Sequence, residues 1–271
     1  MIAVLILAHK NFNQVRRLIN TLKNDNVDVF MHVDKKAGFN QNDFKDINLI
    51  DKRFDIGWGD SSMVDATIYS LNYILNNKDY THFILMSGQD YLIKPISDIV
   101  QFLDLNKEKN YITIGKIEDE NTKNRYLKYR FKNKYLDKIS VKLLKRKNIF
   151  ENMTPCWGSQ WWILNQDAIK YIIKKYGDEF NKKIRHTSCM DEVFIQTILY
   201  NSKFKDTIVC DNKYYIDWSN HKKGLNKGNP DVLTQKDFNK IIESNNFFCR
   251  KVDINEDEKL LDMLDEYRRK L

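Results

Sequence analysis

"IAVLILAH", residues 2–9, is apolar without a break as far as its closing His9. A strand with one wet face would alternate apolar and polar residues. A continuous apolar run is the pattern of a strand covered on both faces, as in a parallel sheet. A helix follows, with Val15, Leu18, Ile19 and Leu22 on one face. "VDVFMHVD" (27–34) reads as the second strand. A helix carrying Met63, Ala66, Thr67, Tyr69, Leu71 and Ile74 leads to the third, "THFILMSG" (81–88). "NYITIG" (110–115), "QWWILN" (160–165), "DTIVC" (206–210) and "KYYID" (213–217) are predicted as further strands. "IKYIIKKY" (169–176), "DEVFIQTILY" (191–200), "TQKDFNKIIES" (234–244, capped by Thr234) and 256–271 are predicted as helices. This alternation predicts an α/β protein with a mainly parallel central sheet and helices on both faces, read as one domain over 1–271.

The bulk numbers agree. A chain of 271 residues can bury one sizeable core, and 42% apolar with 13% aromatic residues argues against disorder. The 45 Lys and Arg exceed the 37 Asp and Glu, giving a formal charge of +8. That excess suits a phosphate-bearing ligand, an anionic membrane or nucleic acid without choosing among them. "MIAVLILAHK" lacks the basic start and long apolar run of a signal peptide. Cys156, Cys189, Cys210 and Cys249 form no C-x-x-C pair, which disfavours a disulfide scaffold or zinc ribbon. The expectation is a reduced, cytoplasmic protein.

In sheets of this kind ligands bind at the carboxyl ends of the strands. The tips there are "AHK", "HVDKK" and "SGQDYLIK", all polar or charged. The sequence has no G-x-G-x-x-G and no G-x-x-x-x-G-K-[ST], which disfavours a dinucleotide fold or P-loop. It also has no D-x-D triplet of the kind that holds a divalent metal against a diphosphate.

"LILAHK" (5–10), "HVDKK" (32–36), "WGDSSMVDAT" (58–67), "LMSGQDYLIK" (85–94), "GSQWWILNQDAIKYI" (158–172), "DEVFIQTIL" (191–199) and "FFCRKVD" (247–253) follow one another along nearly the whole chain. In that order they resemble the core-2/I-branching β-1,6-N-acetylglucosaminyltransferases and their relatives, the peptide O-xylosyltransferases. The resemblance implies a GT-A-like fold, a UDP-sugar co-substrate (UDP-GlcNAc first), a glycan or lipid-linked glycan acceptor, inversion at the anomeric carbon, and neither metal nor other cofactor. By that resemblance Glu192 matches the catalytic base of a P-D-E triplet, here with Met190 in place of Pro. Asp34 matches an aspartate near the uracil. Lys251 matches a lysine on the diphosphate, with Cys249 and Val252 where Ala and Phe are usual. Trp218 of "IDW" resembles an aromatic beside the acceptor sugar. A second basic residue usually assists the lysine, and "NHKKGLNK" offers Lys222, Lys223 and Lys227.

Chemistry sets what such a site needs. The attacking hydroxyl must lose a proton to a carboxylate, and the departing UDP must meet cations or aligned donors. Glu192 and Lys251 fit those parts, with Arg250 beside Lys251. Asp191 is the competing base, or a helix-start residue together with Ser188. Asp90 is expected to order the donor loop or touch a sugar hydroxyl. His9 and His32 lack a third ligand and read as structural. Trp157, Trp161 and Trp162 read as packing, with one or two, Trp161 foremost, on the acceptor cleft. The basic stretch 123–147 interleaves Tyr and Phe with Lys and Arg. Stacking on nucleic acid is the weakest reading and no nucleic-acid partner is expected. A solvated helix and a helix lying on an anionic membrane, at its inner face, both stay open.

Overall fold

The computed structural model describes residues 1–131, 133–144, 146–222 and 228–271, with the backbone alone at 134, 221 and 222. The strands are β1 (Ile2–Ala8), β2 (Val27–Val33), β3 (Asn48–Leu49), β4 (His82–Ser87), β5 (Asp90–Leu92), β6 (Asn110–Tyr111), β7 (Gly115–Lys116), β8 (Cys156–Trp157), β9 (Trp162–Asn165), β10 (Ile208–Val209), β11 (Tyr214–Ile216) and β12 (Phe248–Arg250). The helices used below are α1 (Phe12–Thr21), α2 (Ser62–Leu75), α3 (Ile96–Leu105), α4 (Glu120–Leu127), α5 (Lys134–Leu143), α6 (Gln166–Lys175), α7 (Phe194–Tyr200), α8 (Ser219–Lys222), α9 (Phe238–Glu243) and α10 (Glu258–Arg269).

Among the described residues the largest sheet runs β10-β6-β9-β4-β1-β2-β3. β1 pairs in parallel with β2 on one side and β4 on the other, Ile2 lying opposite both Val27 and His82. All seven residues of β1 are buried, as an unbroken apolar run requires. β9 alone runs against its neighbours β4 and β6. The sheet is therefore mainly parallel.

Topology places the helices. The β1–α1–β2 crossover moves one way along the sheet, and the β2–α2–β4 crossover moves back past β1. Right-handed connections put two such helices on opposite faces. The direction of winding reverses between β1 and β4, and the crevice outside that reversal is where ligands bind in doubly wound sheets. Buried apolar side chains from Ile2 to Leu264 make one continuous cluster.

A second, three-stranded sheet, β11-β12-β5, continues from the end of β4. Only Gly88 and Gln89 separate β4 from β5. β12 runs antiparallel to β5, with Arg250 opposite Asp90 and Cys249 opposite Tyr91. The chain's last strand is thereby brought to the mouth of the central sheet.

Several predicted elements are shorter than their apolar runs. "NYITIG" divides into β6 and β7, and "QWWILN" pairs only from Trp162 onward. Ser188 does not cap the helix of "DEVFIQTIL". Cys189 stands at the N-cap position with φ +49°, and the Ser188 N–H instead donates to the Arg125 carbonyl at 2.9 Å. Met190–Glu192 is a 3-10 turn, and α7 begins only at Phe194. Thr234, by contrast, forms the reciprocal capping box with Asp237.

Gly158 sits where the strand β8 turns toward β9. A Cβ there would stand 1.8 Å from the Thr113 carbonyl oxygen, and backbone cannot be moved aside cheaply. Gly158→Ala should lower unfolding stability by about 1–3 kcal/mol through overpacking. A urea midpoint equal to wild type would refute that reading of the contact.

Candidate active site

The end of β1, the start of β5 and the end of β12 deliver charged residues to the reversal point. Asp90 is fully buried. Its carboxylate accepts from the Ser87 N–H at 2.7 Å and from Arg250 Nη1 at 2.6 Å, and Arg250 also donates to Ser87 Oγ at 2.7 Å. Burial pushes the Asp90 carboxyl above its ordinary pKa, and the Arg250 charge opposes that. The other side of the guanidinium lies 4.3 Å over the Trp161 ring. Arg250 is thus clamped between a carboxylate and an indole.

Lys251 follows it. Among the described residues its ammonium pairs with no carboxylate. Burial lowers its pKa, and the nearby Arg250 and Lys10 lower it further. His9 is lowered by burial and then by Lys10 and Lys251. Lys10 is bonded to Asp253 at 2.8 Å, and Asn11 donates to the same carboxylate at 2.7 Å. His9, Lys10, Arg250 and Lys251 form a basic cluster in which neighbouring positive charge lowers the pKa of Lys251 and His9, the condition an anionic ligand relieves.

Asp34 lies across β1 from this cluster and is nearly buried. One carboxylate oxygen accepts the Lys36 N–H at 2.8 Å, and the other is 3.9 Å from Lys36 Nζ. Arg53 clamps the same turn through the carbonyls of Asp34 (2.7 Å) and Ala37 (2.8 Å). His32 is buried, its pKa is pushed down to about 4 by burial, and its Nε2 accepts from the Phe54 N–H at 3.1 Å. It is a structural residue.

A second cluster forms around residues 189–192. Glu192 Oε2 accepts from Arg125 Nη1 of α4 at 2.6 Å, while Oε1 accepts nothing from the described residues. The Glu192 carbonyl accepts from the Gly158 N–H at 2.9 Å, and the Cys189 N–H donates to the Gly59 carbonyl at 2.9 Å. "WGDS", "GSQWW" and "DE" therefore meet in space. Asp191 lines a cavity of about 10 Å³ with Val64, Thr67, Ile68, Leu85, Gln160, Trp162 and Ile195. Its pKa is raised to about 7 by burial and then by the Glu192 charge.

Residues 157–162 join the two clusters. Gly158 holds Glu192, Gln160 lines the Asp191 cavity, and Trp161 carries Arg250. Trp161 is only 6% exposed and supports the guanidinium, whereas Trp157 is 48% exposed two residues before Ser159. Trp218, just after β11, is 37% exposed. Lys222 ends α8, and Lys223 and Lys227 lie outside the described residues. Sequence reading did not single out Arg125, Lys10 or Asp253. Arg125 stands 67 positions from Glu192, and no local pattern links them. Among the described residues no three His, Cys, Asp or Glu side chains converge as a metal site, and no helix is long and apolar enough to cross a membrane.

A doubly wound α/β sheet with its cations at the winding reversal has the GT-A-like arrangement. Residues 2–242 match the family model described as "Core-2/I-Branching enzyme", and the chain belongs to that family. Among curated proteins it is similar to xylosyltransferase 1 of Mus musculus, 22% identical over 97% of this chain and 30% of that protein. It is also similar to xylosyltransferase 2 of Homo sapiens, 21% identical over 97% of this chain and 33% of that protein. The chain thus spans about a third of the length of these relatives. The crystal structure of S. aureus TarS 1-349 overlaps it loosely, with TM-score 0.41 and 13% identity, over 76% of this chain and 56% of that one.

The raised pKa of Asp191 has a sign. Its unfolded value is near 3.9 and its folded value about 7, so between those two the folded state holds the extra proton. Stability contributed by this group falls as pH rises through that window. Asp191→Asn should therefore flatten the loss of unfolding stability between about pH 4 and 7. Denaturant curves for both proteins across that range, if parallel, would refute the assignment.

Proposed function

We propose that this chain transfers a sugar from a UDP-sugar to a hydroxyl of a glycan acceptor, with inversion and without a metal ion. The observation that carries the reading is the ammonium of Lys251, unpaired among the described residues, beside His9, Lys10 and Arg250 and joined by one short segment to the carboxylate of Glu192. An ammonium without a carboxylate partner, beside two anchored cations at a winding reversal, suits a diphosphate. A half-exposed carboxylate with one oxygen uncommitted suits an incoming hydroxyl.

In this reading the acceptor oxygen attacks the anomeric carbon as the bond from that carbon to the UDP oxygen breaks. The hydroxyl proton passes to Glu192 Oε1. Arg125 fixes the carboxylate through Oε2 and so aims the free oxygen. Lys251 and Arg250 take up the charge developing on the diphosphate. Asp34 meets the uracil N–H, Asp90 acts by holding Arg250, and Trp157 and Trp218 offer ring faces to the acceptor sugar. Lys222 and Lys223 are the further basic residues assigned to the donor side. UDP-GlcNAc is the first donor to test. UDP-xylose is the second, favoured by the names of the similar proteins. A thermal-shift series over UDP-sugars separates them, because a ligand bound only by the folded state raises the apparent midpoint.

Glu192→Gln should lower turnover by about 10²–10⁴-fold and leave UDP affinity nearly unchanged. Near-normal turnover in that variant would remove Glu192 as the base. Lys251→Ala should weaken UDP binding by about 1.5–3 kcal/mol, the range for a hydrogen bond to a charged group, with little effect on folding. Activity should persist in EDTA. Loss of activity in EDTA with recovery on adding Mn²⁺, while Lys251→Ala remains active, would overturn the metal-free mechanism.

A further inference from the structure

Helix α5 turns its apolar side outward. Tyr135, Leu136, Ile139 and Leu143 are 80%, 55%, 55% and 75% exposed. At 100° per residue they fall within an arc of about 100°, a single stripe. Leu144, just beyond the helix, is 49% exposed. Asp137 and Ser140 face the other way. Asp137 takes a two-pronged bond from Arg130 at 2.9 and 3.0 Å, and Ser140, nearly buried, donates to the Tyr129 carbonyl at 2.9 Å. A surface helix normally does the reverse. Lys138 and Lys142 flank the stripe, both exposed and, among the described residues, unpaired with any carboxylate. The one acid of the helix is already neutralised by Arg130.

We propose that α5 is a docking face for an anionic lipid bilayer, with the stripe in the acyl boundary and the lysines at the headgroups. Outward leucine, isoleucine and tyrosine side chains supply buried apolar area, and the flanking cations select a negatively charged surface. A second copy of this chain would set the same lysines against each other. The helix is fixed to the site side of the molecule. Arg130 N–H donates to the His186 carbonyl at 2.8 Å, and α4, which precedes it, carries Arg125. Docking through α5 would therefore hold Glu192 close to lipid-borne acceptors. The binding itself does not depend on the proposed transfer activity and is measured without it.

The 271-residue chain is sedimented with vesicles of phosphatidylcholine alone and of phosphatidylcholine mixed with phosphatidylglycerol. It should bind the mixed vesicles at low salt and be released near 1 M salt, where the Debye length falls to about 3 Å. Lys138→Glu with Lys142→Glu, and separately Ile139→Asp with Leu143→Asp, should each weaken binding by at least about tenfold. All four positions are exposed, so thermal midpoints should match wild type. Equal binding to both vesicle types, or none to either, overturns the proposal. So does a dimer by light scattering that Ile139→Asp with Leu143→Asp dissolves, which would make the stripe a self-association face. Salt-steep binding to single-stranded RNA without vesicle binding would also overturn it.

Discussion

The buried pair of Asp90 and Arg250 is the constraint on which the site depends. A carboxylate with no solvent contact is tolerable only if its hydrogen bonds are satisfied, and Ser87 and Arg250 satisfy this one. Because Arg250 lies directly opposite Asp90 in the β5–β12 ladder, strand register and ion pairing specify the same alignment. That alignment brings a strand from near the chain's end to the mouth of β1 and β4. Removing either partner would leave a buried charge uncompensated, at a cost of about 3–5 kcal/mol. Lys251 inherits its place from this pair, as the next residue along.

The second organising element is the short segment 157–162. Between Trp157 of β8 and Trp162 of β9 its residues are engaged elsewhere: Gly158 against Thr113 and Glu192, Gln160 in the Asp191 cavity, Trp161 under Arg250. Displacing the segment would disturb the cation cluster and the carboxylate together. This coupling explains why a glycine, rather than any larger residue, stands at 158. Asp191 and Glu192, though adjacent, sit in different surroundings. Asp191 lines a largely apolar cavity and keeps its proton to about pH 7, while Glu192 is held by a guanidinium. Two neighbouring carboxyls in unlike environments can take unlike roles.

The chain's own residues determined the layered α/β class. A seven-residue apolar β1, helices with apolar faces and strand tips ending in charge leave few alternatives, because backbone periodicity and burial are properties of local sequence. Thr234 as a helix cap was legible for the same reason, and the structure adds its reciprocal partner Asp237. Ordered motifs identified the family, since "SGQD", "GSQWW" and "DE" were all present in the order the family requires. Glu192 could be named from "DE", and Lys251 and Arg250 from "FFCRKVD".

Tertiary structure decided what the motifs do to one another. The Arg125–Glu192 pair spans 67 positions, Lys10–Asp253 spans 243, and Arg250–Asp90 spans 160, so no local pattern could announce them. Trp161 read as packing or as a wall of the acceptor cleft, and it lies nearly buried beneath a guanidinium, because the ladder carries Arg250 over it. Ser188 read as a cap, yet Cys189 in the left-handed conformation takes the N-cap position, and the Ser188 amide donates to the Arg125 carbonyl. For the stretch that holds α5 the sequence left a solvated helix and a membrane-lying helix both open, and only packing showed that its apolar residues face outward. A sequence fixes the angular spacing of side chains on a helix; the contacts made by Asp137 and Ser140 set which side meets the protein.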